Sequence, residues 1–164
     1  MAGKFTASAT QLRPDPRYKD LVVAKFINCI MYDGKKATAT RVVYGAFDLI
    51  QNKLDKDKPE NLPKTAFEVF QLALDNVRPN VEVRSKRIGG ANYQVPMQLN
   101  KRRQQSLTFR WVIGSAREEK GKPIATRLAK ELWDAAMNTG KAVTTKENTH
   151  RMAEANRAFA HFAR

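Results

Sequence analysis

The amino-acid sequence predicts a mainly α-helical protein, a bundle of about six helices from which one two-stranded β-hairpin protrudes. Six segments carry apolar residues at the three- and four-residue spacing of an amphipathic helix. Between about residues 80 and 99 the spacing changes to two, which is typical of strands. The connections are mostly short, as between neighbouring helices of a bundle. We therefore expect a helical core that is interrupted once, by the hairpin.

The first three helices are predicted from their ends and their apolar stripes. Asp20 is a favourable N-cap, and Asp33-Gly34 should end the first helix because glycine suits a left-handed C-terminal position. Pro63 is expected to open the third helix at a favoured first-turn position. The three stripes are Leu21, Ala24, Ile27, Ile30 and Met31; Ala39, Val42, Val43, Ala46, Phe47, Ile50 and Leu54; and Ala66, Phe67, Phe70, Ala73, Leu74 and Val77.

The segment that follows Pro79 is predicted to form the hairpin. Val81 and Val83 alternate with charged residues, the alternation resumes at Tyr93, and Gly89-Gly90 suits a tight turn at the tip. Two strands alone are marginally stable in water, so the hairpin either packs on the helices or extends toward a partner. Its charged edge favours extension.

Three more helices are predicted after the hairpin. The fourth stops at Gly121, and the fifth follows a proline and ends at Gly140. The sixth is expected to start at Thr144, because Thr144 and Glu147 have the spacing of a capping box, and to run through Phe162.

The chain is expected to consist of an arm and one domain. Prolines within residues 1–17 forbid a regular helix, so this segment is predicted to be a flexible, weakly basic arm. Residues 18–164 are expected to form a single helical domain, with the hairpin at about 80–99. No apolar run is long enough for a membrane span or a signal peptide, so we expect a cytoplasmic protein with no membrane partner.

The charge indicates a polyanionic partner. The 164 residues include 30 Lys and Arg against 16 Asp and Glu, a net charge of +14. Positive charge is concentrated between Val83 and Arg117, where there is no Asp or Glu and eight residues are cationic. Nucleic acid is the favoured partner, because mixed charges would serve solubility equally well.

The residue types that catalysis or metal binding requires are scarce, so we expect neither an enzyme nor a cofactor. His150 and His161 are eleven positions apart on a predicted helix, roughly 16 Å, which is too far to chelate one metal. Cys29 is interpreted as a buried structural thiol. For Tyr93 and Trp133 the sequence leaves two roles open, stacking on RNA bases or packing in the core.

The distribution of the cations favours a folded RNA over DNA. No single basic recognition helix is present, and the basic residues are spread over the arm, a helix start, the hairpin and the fourth helix. Lys35 and Lys36 follow a glycine at a predicted helix N-terminus, where free N–H groups favour a phosphate. Plain surface lysines are an equally good interpretation of this pair.

Three long blocks resemble the family of the seventh small-subunit ribosomal protein, of bacterial type. They are FINCIMYDGKKATATRVVYGA at 26–46, ALDNVRPNVEVRSKRIGGANYQVPMQL at 73–99 and HRMAEANRAFAHF at 150–162. The resemblance implies a helical bundle with a protruding hairpin. It also implies a non-enzymatic protein that binds 16S-type ribosomal RNA directly and nucleates assembly of the small-subunit head.

The resemblance further implies which residues lie near RNA and which partners surround the protein. The hairpin tip would lie near the exit-site tRNA, close to the messenger path at the subunit interface, and the ninth and eleventh small-subunit proteins would be neighbours. Two alternatives are left open: the ribosome could be organellar, or the protein could be a free-standing translational regulator that binds RNA. The implied rRNA contacts are Lys35, Lys36, Arg78, Arg84, Lys86, Arg87, Lys101, Arg102, Arg103 and Arg110, and the tRNA-proximal residues are Arg87, Ile88, Gly89, Gly90 and Asn92.

Overall fold

The computed structural model describes residues 12–57 and 62–163 and confirms the predicted fold class. In the described ranges, six α-helices, one hairpin and a C-terminal 3-10 helix follow one another. The elements are α1 (Leu21–Ile30), α2 (Lys36–Asp57), α3 (Ala66–Val77), β1 (Val81–Ile88), β2 (Ala91–Gln98), α4 (Lys101–Glu118), α5 (Ile124–Ala136), α6 (Lys141–Ala155) and the 3-10 helix (Arg157–Ala163).

The start of α1 confirms its predicted cap, whereas the start of α3 corrects a prediction. The Asp20 carboxylate accepts a hydrogen bond from the backbone N–H of Val23 at 2.8 Å. At α3 the cap is Thr65, whose hydroxyl accepts from the N–H of Glu68 at 3.3 Å, so the helix begins after Pro63 and does not include it. A threonine oxygen satisfies a free N–H of the first turn, which proline cannot do.

The core is centred on phenylalanines that the stripes of successive helices bring together. Phe26, Phe47, Phe70 and Phe109 come from α1, α2, α3 and α4 and are almost completely buried. Phe26 lies 5.2 Å from both Phe70 and Phe109, measured between ring centroids, and the rings are steeply inclined. Burying such side chains is the main favourable contribution to folding, at roughly 25 cal/mol per Å² of apolar surface.

The hairpin is antiparallel and has the predicted turn. Val81 pairs with Gln98 at its base and Ile88 pairs with Ala91 at its tip. Gly89 and Gly90 have φ angles of 56° and 89°, as a type I′ turn requires. Val95, midway along the hairpin opposite Arg84, is buried, while the turn glycines are exposed, so the hairpin both packs and protrudes.

The last α-helix differs from its prediction at both ends. It starts at Lys141, three residues before Thr144, because the carboxylate of Glu131 on α5 accepts from the N–H of Ala142 at 2.8 Å. The Thr144 hydroxyl instead donates to the carbonyl of Gly140. Burial raises the pKa of Glu131, although the N–H of Ala142 opposes this. The helix ends at Ala155, and Phe159 and Phe162 belong to the separate 3-10 helix.

Most of the predicted arm lies outside the described residues, as do residues 58–61 of the loop after α2. Within the described part, Asp15 is buried, and its carboxylate accepts from the N–H groups of Arg17 and Tyr18 and from the Tyr44 hydroxyl. Through the bond to Tyr44, the segment that precedes α1 is held against α2. The predicted boundary at residue 17 stays a prediction.

Candidate nucleic-acid interface

The first turn of α4 presents two of the predicted cations directly to solvent. Lys101 and Arg102 are exposed, and within the described ranges neither makes an ion pair. The Asn100 carboxamide caps the helix by accepting from the N–H of Arg103 at 2.9 Å. Cations beside the positive end of a helix destabilise it slightly, so this placement favours an anionic partner over a role in stability.

Arg84 and Arg103 are brought together by a carboxylate. Glu82 is only 7% exposed; its Oε1 accepts from Arg84 Nε at 2.5 Å, and its Oε2 accepts from Arg103 Nε at 3.0 Å. Glu82 therefore joins β1 to the first turn of α4 and fixes two guanidinium groups. It neutralises part of their charge, so these arginines differ from Lys101 and Arg102 in what they can offer to a phosphate.

The hairpin carries the other predicted cations toward its tip. Lys86 Nζ donates to the main-chain carbonyl of Phe162 at 2.8 Å, so it joins the hairpin to the 3-10 helix. Arg87 is exposed and lies opposite Asn92 in the strand register. The tip itself is exposed apart from the half-buried Ile88.

An aromatic cluster formed by Tyr93, Phe159 and Phe162 supports the hairpin from the side. The Tyr93 ring lies 5.2 Å from that of Phe159 and 5.7 Å from that of Phe162. Tyr93 is therefore half-buried by protein. Trp133 is also half-buried, and the Lys53 ammonium lies 4.1 Å from its ring. Both aromatic residues are engaged in protein contacts.

Lys35 and Lys36 lie at the start of α2, as predicted. Gly34 has a φ of 70°, which allows the chain to turn into the helix, and both lysines are exposed. Lys35 Nζ lies 3.9 Å from the carboxylate of Asp33, an exposed pair of little energetic weight. The first N–H groups of α2 have no intrahelical acceptor, so the pair lies where an anion is favoured.

The last two predicted contacts are separate from these groups. Arg78 follows α3 and pairs with Asp75 at 2.7 Å, with both side chains about half exposed. Arg110 is exposed on α4, and no ion pair to it occurs in the described ranges. Each predicted contact is thus at the surface, but four of them are ion-paired to carboxylates: Lys35, Arg78, Arg84 and Arg103.

The histidines and the cysteine have surroundings unlike those of catalytic groups. His150 Nε2 accepts from the N–H of Asn80 at 3.3 Å, and burial, helped by Lys146, lowers its pKa. His161 Nδ1 lies 2.8 Å from the carbonyl of Ala158. Cys29 is exposed, so the prediction of a buried thiol is wrong: its position on α1 faces away from the core.

Sequence reasoning missed a second cluster of cations, which the fold assembles beside Lys35. Arg117 and Arg127 line the same cavity as Lys35 and Tyr32. Arg117 belongs to the carboxylate-free stretch, and this membership could have identified it as a candidate contact to RNA. Arg127 lies on α5 among mostly apolar residues, with Lys130 as the other cation of this helix, and no sequence pattern marked it.

Among the described residues, no group of three or more His, Cys, Asp and Glu side chains is placed to hold a metal ion. None of the helices formed by these residues combines the length and the apolar character needed to cross a membrane.

Comparison with known proteins identifies the family. The family model described as ribosomal protein S7p/S5e matches residues 3–157. A protein of Rhodopirellula baltica named small ribosomal subunit protein uS7 is 53% identical over 98% of this chain and 99% of its own length. Proteins of the same name from Methylobacterium radiotolerans and Thermotoga neapolitana are 49% and 51% identical, over 99% and 95% of this chain and 99% and 96% of their own lengths. The chain therefore belongs to the ribosomal protein S7p/S5e family.

Proposed function

We propose that this protein is a structural constituent of the small ribosomal subunit that binds ribosomal RNA directly and nucleates assembly of the subunit head. Membership of the ribosomal protein S7p/S5e family and the names of the relatives support the ribosomal role. The direct contact with RNA is supported by the cations at the helix starts and on the hairpin. No enzymatic step is part of this function.

One observation carries the RNA-binding part of the proposal. Lys101 and Arg102 lie exposed at the positive end of α4, and the neighbouring Arg103 is held by Glu82 at the base of a cationic hairpin. This arrangement offers charge to phosphates from two different elements, which suits the backbone of a folded RNA. The predicted rRNA contacts remain part of the proposal.

The exposed tip of the hairpin supports a more specific proposal about the location of the hairpin within the small subunit. The turn glycines are exposed and lie beyond the buried Val95 in the middle of β2, so the turn is accessible to a second RNA. We propose that Arg87, Ile88, Gly89, Gly90 and Asn92 approach the exit-site tRNA near the messenger path, with the ninth and eleventh small-subunit proteins as neighbours.

Binding of the purified full chain to the isolated head domain of 16S-type rRNA tests the proposal. An unrelated folded RNA of equal length is the control, and both are measured across a salt series. A preference for the head domain that persists at physiological salt is expected. Equal affinities that decline together with salt would contradict site-specific binding, because only non-specific phosphate contacts have that signature.

Co-sedimentation separates the ribosomal role from that of a free-standing translational regulator. A structural constituent should sediment with small subunits and stay with them at moderate salt. A chain that binds messenger RNA but is absent from the particles would favour the regulator.

A further inference from the structure

One buried carboxylate holds the segment that precedes α1. Asp15 is only 4% exposed, and both of its carboxylate oxygens accept hydrogen bonds. The hydroxyl of Tyr44 on α2 lies 2.9 Å from Oδ1 and 3.0 Å from Oδ2, and the backbone N–H groups of Arg17 and Tyr18 each lie 3.1 Å from Oδ2. Burying a carboxylate is costly unless such donors surround it, so the segment is confined to the place where these donors meet.

The Tyr44 hydroxyl and the main chain both secure Asp15. Burial and, to a lesser extent, the bond to Asp15 raise the pKa of Tyr44, so its hydroxyl stays protonated and donates at neutral pH. The N–H of Asp15 donates to the carbonyl of Asp20 at 3.1 Å, and the carbonyl of Asp15 accepts from the N–H of Lys19 at 2.8 Å. Asp15 is therefore fastened to α2 by its side chain and to the start of α1 by its backbone.

Two prolines connect Asp15 rigidly to Arg13. Pro14 and Pro16 lie on either side of Asp15. Proline fixes its own φ near −65°, and it restricts the residue before it to extended conformations. This restriction applies to Arg13 and to Asp15, so little backbone freedom separates the two residues. The position of Asp15 therefore determines where the backbone of Arg13 lies.

Arg13 lines a cavity together with Lys36. The cavity has a volume of about 670 Å³ and is enclosed by this segment, α1 and the start of α2. Among the described residues that line it, Asp15 is the one acid, and its carboxylate is already engaged by Tyr44. Arg13 and Lys36 are exposed, and neither forms an ion pair with another described residue. Two such cations on one cavity favour an anionic ligand.

We propose that Asp15 is a positioning residue for RNA binding. By anchoring the segment before α1, it keeps Arg13 on the same cavity as Lys36, so that both cations meet the phosphates of one stretch of RNA backbone. Asp15 itself does not touch the RNA. The inference rests on the proposed function, since it names how one further cation is oriented toward the RNA.

The sign of the effect on RNA binding separates this role from two others. Removing Asp15 makes the protein more cationic, so a residue that acted only through its charge would, once removed, leave RNA binding tighter. A residue that only stabilised the fold would leave the RNA affinity of the folded chain unchanged. Loss of a positioning residue should instead weaken binding, because Arg13 no longer has a fixed place at the phosphates.

Binding of the full chain to the isolated head domain of 16S-type rRNA, across a salt series, tests the inference. Asp15→Ala should lower the affinity about fivefold at physiological salt and make the slope of log K against log salt shallower by about one, the contribution of one phosphate contact. Tyr44→Phe removes one hydroxyl and no charge, and it should weaken binding in the same direction. Asp57→Ala is the control, since it removes an exposed carboxylate at the end of α2 and should not weaken binding.

A double-mutant cycle with Arg13→Ala shows whether Asp15 acts through Arg13. In a chain that already carries Arg13→Ala, neither Asp15→Ala nor Tyr44→Phe should reduce the affinity further. Unchanged or tighter binding of Asp15→Ala, or an equal loss with and without Arg13, would overturn the proposal. Helical circular dichroism checks folding, and if Asp15→Ala is unfolded, the cycle with Tyr44→Phe decides.

Failure of the proposed function has a different signature. It would appear as equal affinities of the wild type for the head domain and for an unrelated folded RNA. The cycle compares variants on a single RNA, so its outcome does not depend on that preference.

Discussion

Glu82 and Arg103 form an ion pair, 3.0 Å from Oε2 to Nε, that fastens the base of the hairpin to the start of α4. The Glu82 side chain is almost buried and also accepts from Arg84, so one carboxylate orients two arginines. The basic surface is therefore of two kinds. One set of cations is fixed by the fold, and another, which includes Lys101 and Arg102, is exposed.

Replacing Glu82 by Gln should destabilise the protein. Two guanidinium groups would lose their charged acceptor, but both are partly exposed, so the expected loss is about 1–2 kcal/mol and not the larger loss of a fully buried pair. Urea unfolding followed by circular dichroism measures it. Glu147→Gln, at an exposed site on α6, is the control, and equal midpoints for the two variants would contradict the structural role.

Removing the two exposed cations together, Lys101→Ala with Arg102→Ala, should weaken RNA binding and leave stability nearly unchanged. The slope of log K against log salt should become shallower by up to about two, since each phosphate contact contributes nearly one. The matched control removes Lys56 and Lys64, which are exposed near the loop after α2. An identical slope for both double variants would remove Lys101 and Arg102 from the interface.

Replacing Phe159 by Ala should loosen the hairpin while sparing the helices. The Phe159 ring contacts Tyr93, and it is half-buried, so we expect a loss of about 1–2 kcal/mol. Amide hydrogen exchange should become faster in β1 and β2, with helical circular dichroism retained. Met152→Ala, at an exposed position on α6, serves as the comparison. Exchange that speeds up equally throughout the domain would show that the aromatic cluster supports the whole fold.

Protonation of His150 should destabilise the fold at mildly acidic pH. Burial lowers the pKa of this histidine below its ordinary value of 6.5, so the folded state favours the neutral ring. Its contribution to stability is present above pH 6.5 and is lost as the pH falls through the folded-state pKa. His150→Gln keeps an acceptor for the N–H of Asn80 but does not titrate.

The difference in unfolding free energy between wild type and this variant should therefore fall between about pH 7.5 and pH 5. A constant difference would show that His150 has the same proton affinity in both states. Glu131, whose raised pKa acts in the opposite sense, is present in both proteins and cancels in the comparison.

Elements whose determinants are local were predicted well. The apolar stripes located the helices, Asp20 capped α1 as expected, and Gly89-Gly90 formed the hairpin turn. In each case the residues that decide the structure are within a few positions of one another, so periodicity and capping rules apply.

Several of the errors concern contacts between residues far apart in the chain, although the start of α3 was misplaced by a local contact, the cap that Thr65 supplies. The start of α6 depends on Glu131, which lies on another helix, so a local capping box at Thr144 was misleading. Glu82 was not predicted as part of the site because it lies just outside the carboxylate-free stretch. In the fold it nevertheless orients two arginines of that stretch, Arg84 and Arg103. The Tyr32–Arg117 contact likewise depends on tertiary packing and leaves no local pattern.

The contact between Lys86 and the Phe162 carbonyl joins positions 76 residues apart. During translation the hairpin is therefore made well before the segment that supports it, and a growing chain holds β1 and β2 without their aromatic neighbours. A lone two-stranded ribbon is marginally stable, and the part of its support that Phe159 and Phe162 supply forms only after the 3-10 helix has been synthesised. An RNA that recognises the oriented hairpin would thus distinguish a finished chain from a nascent one.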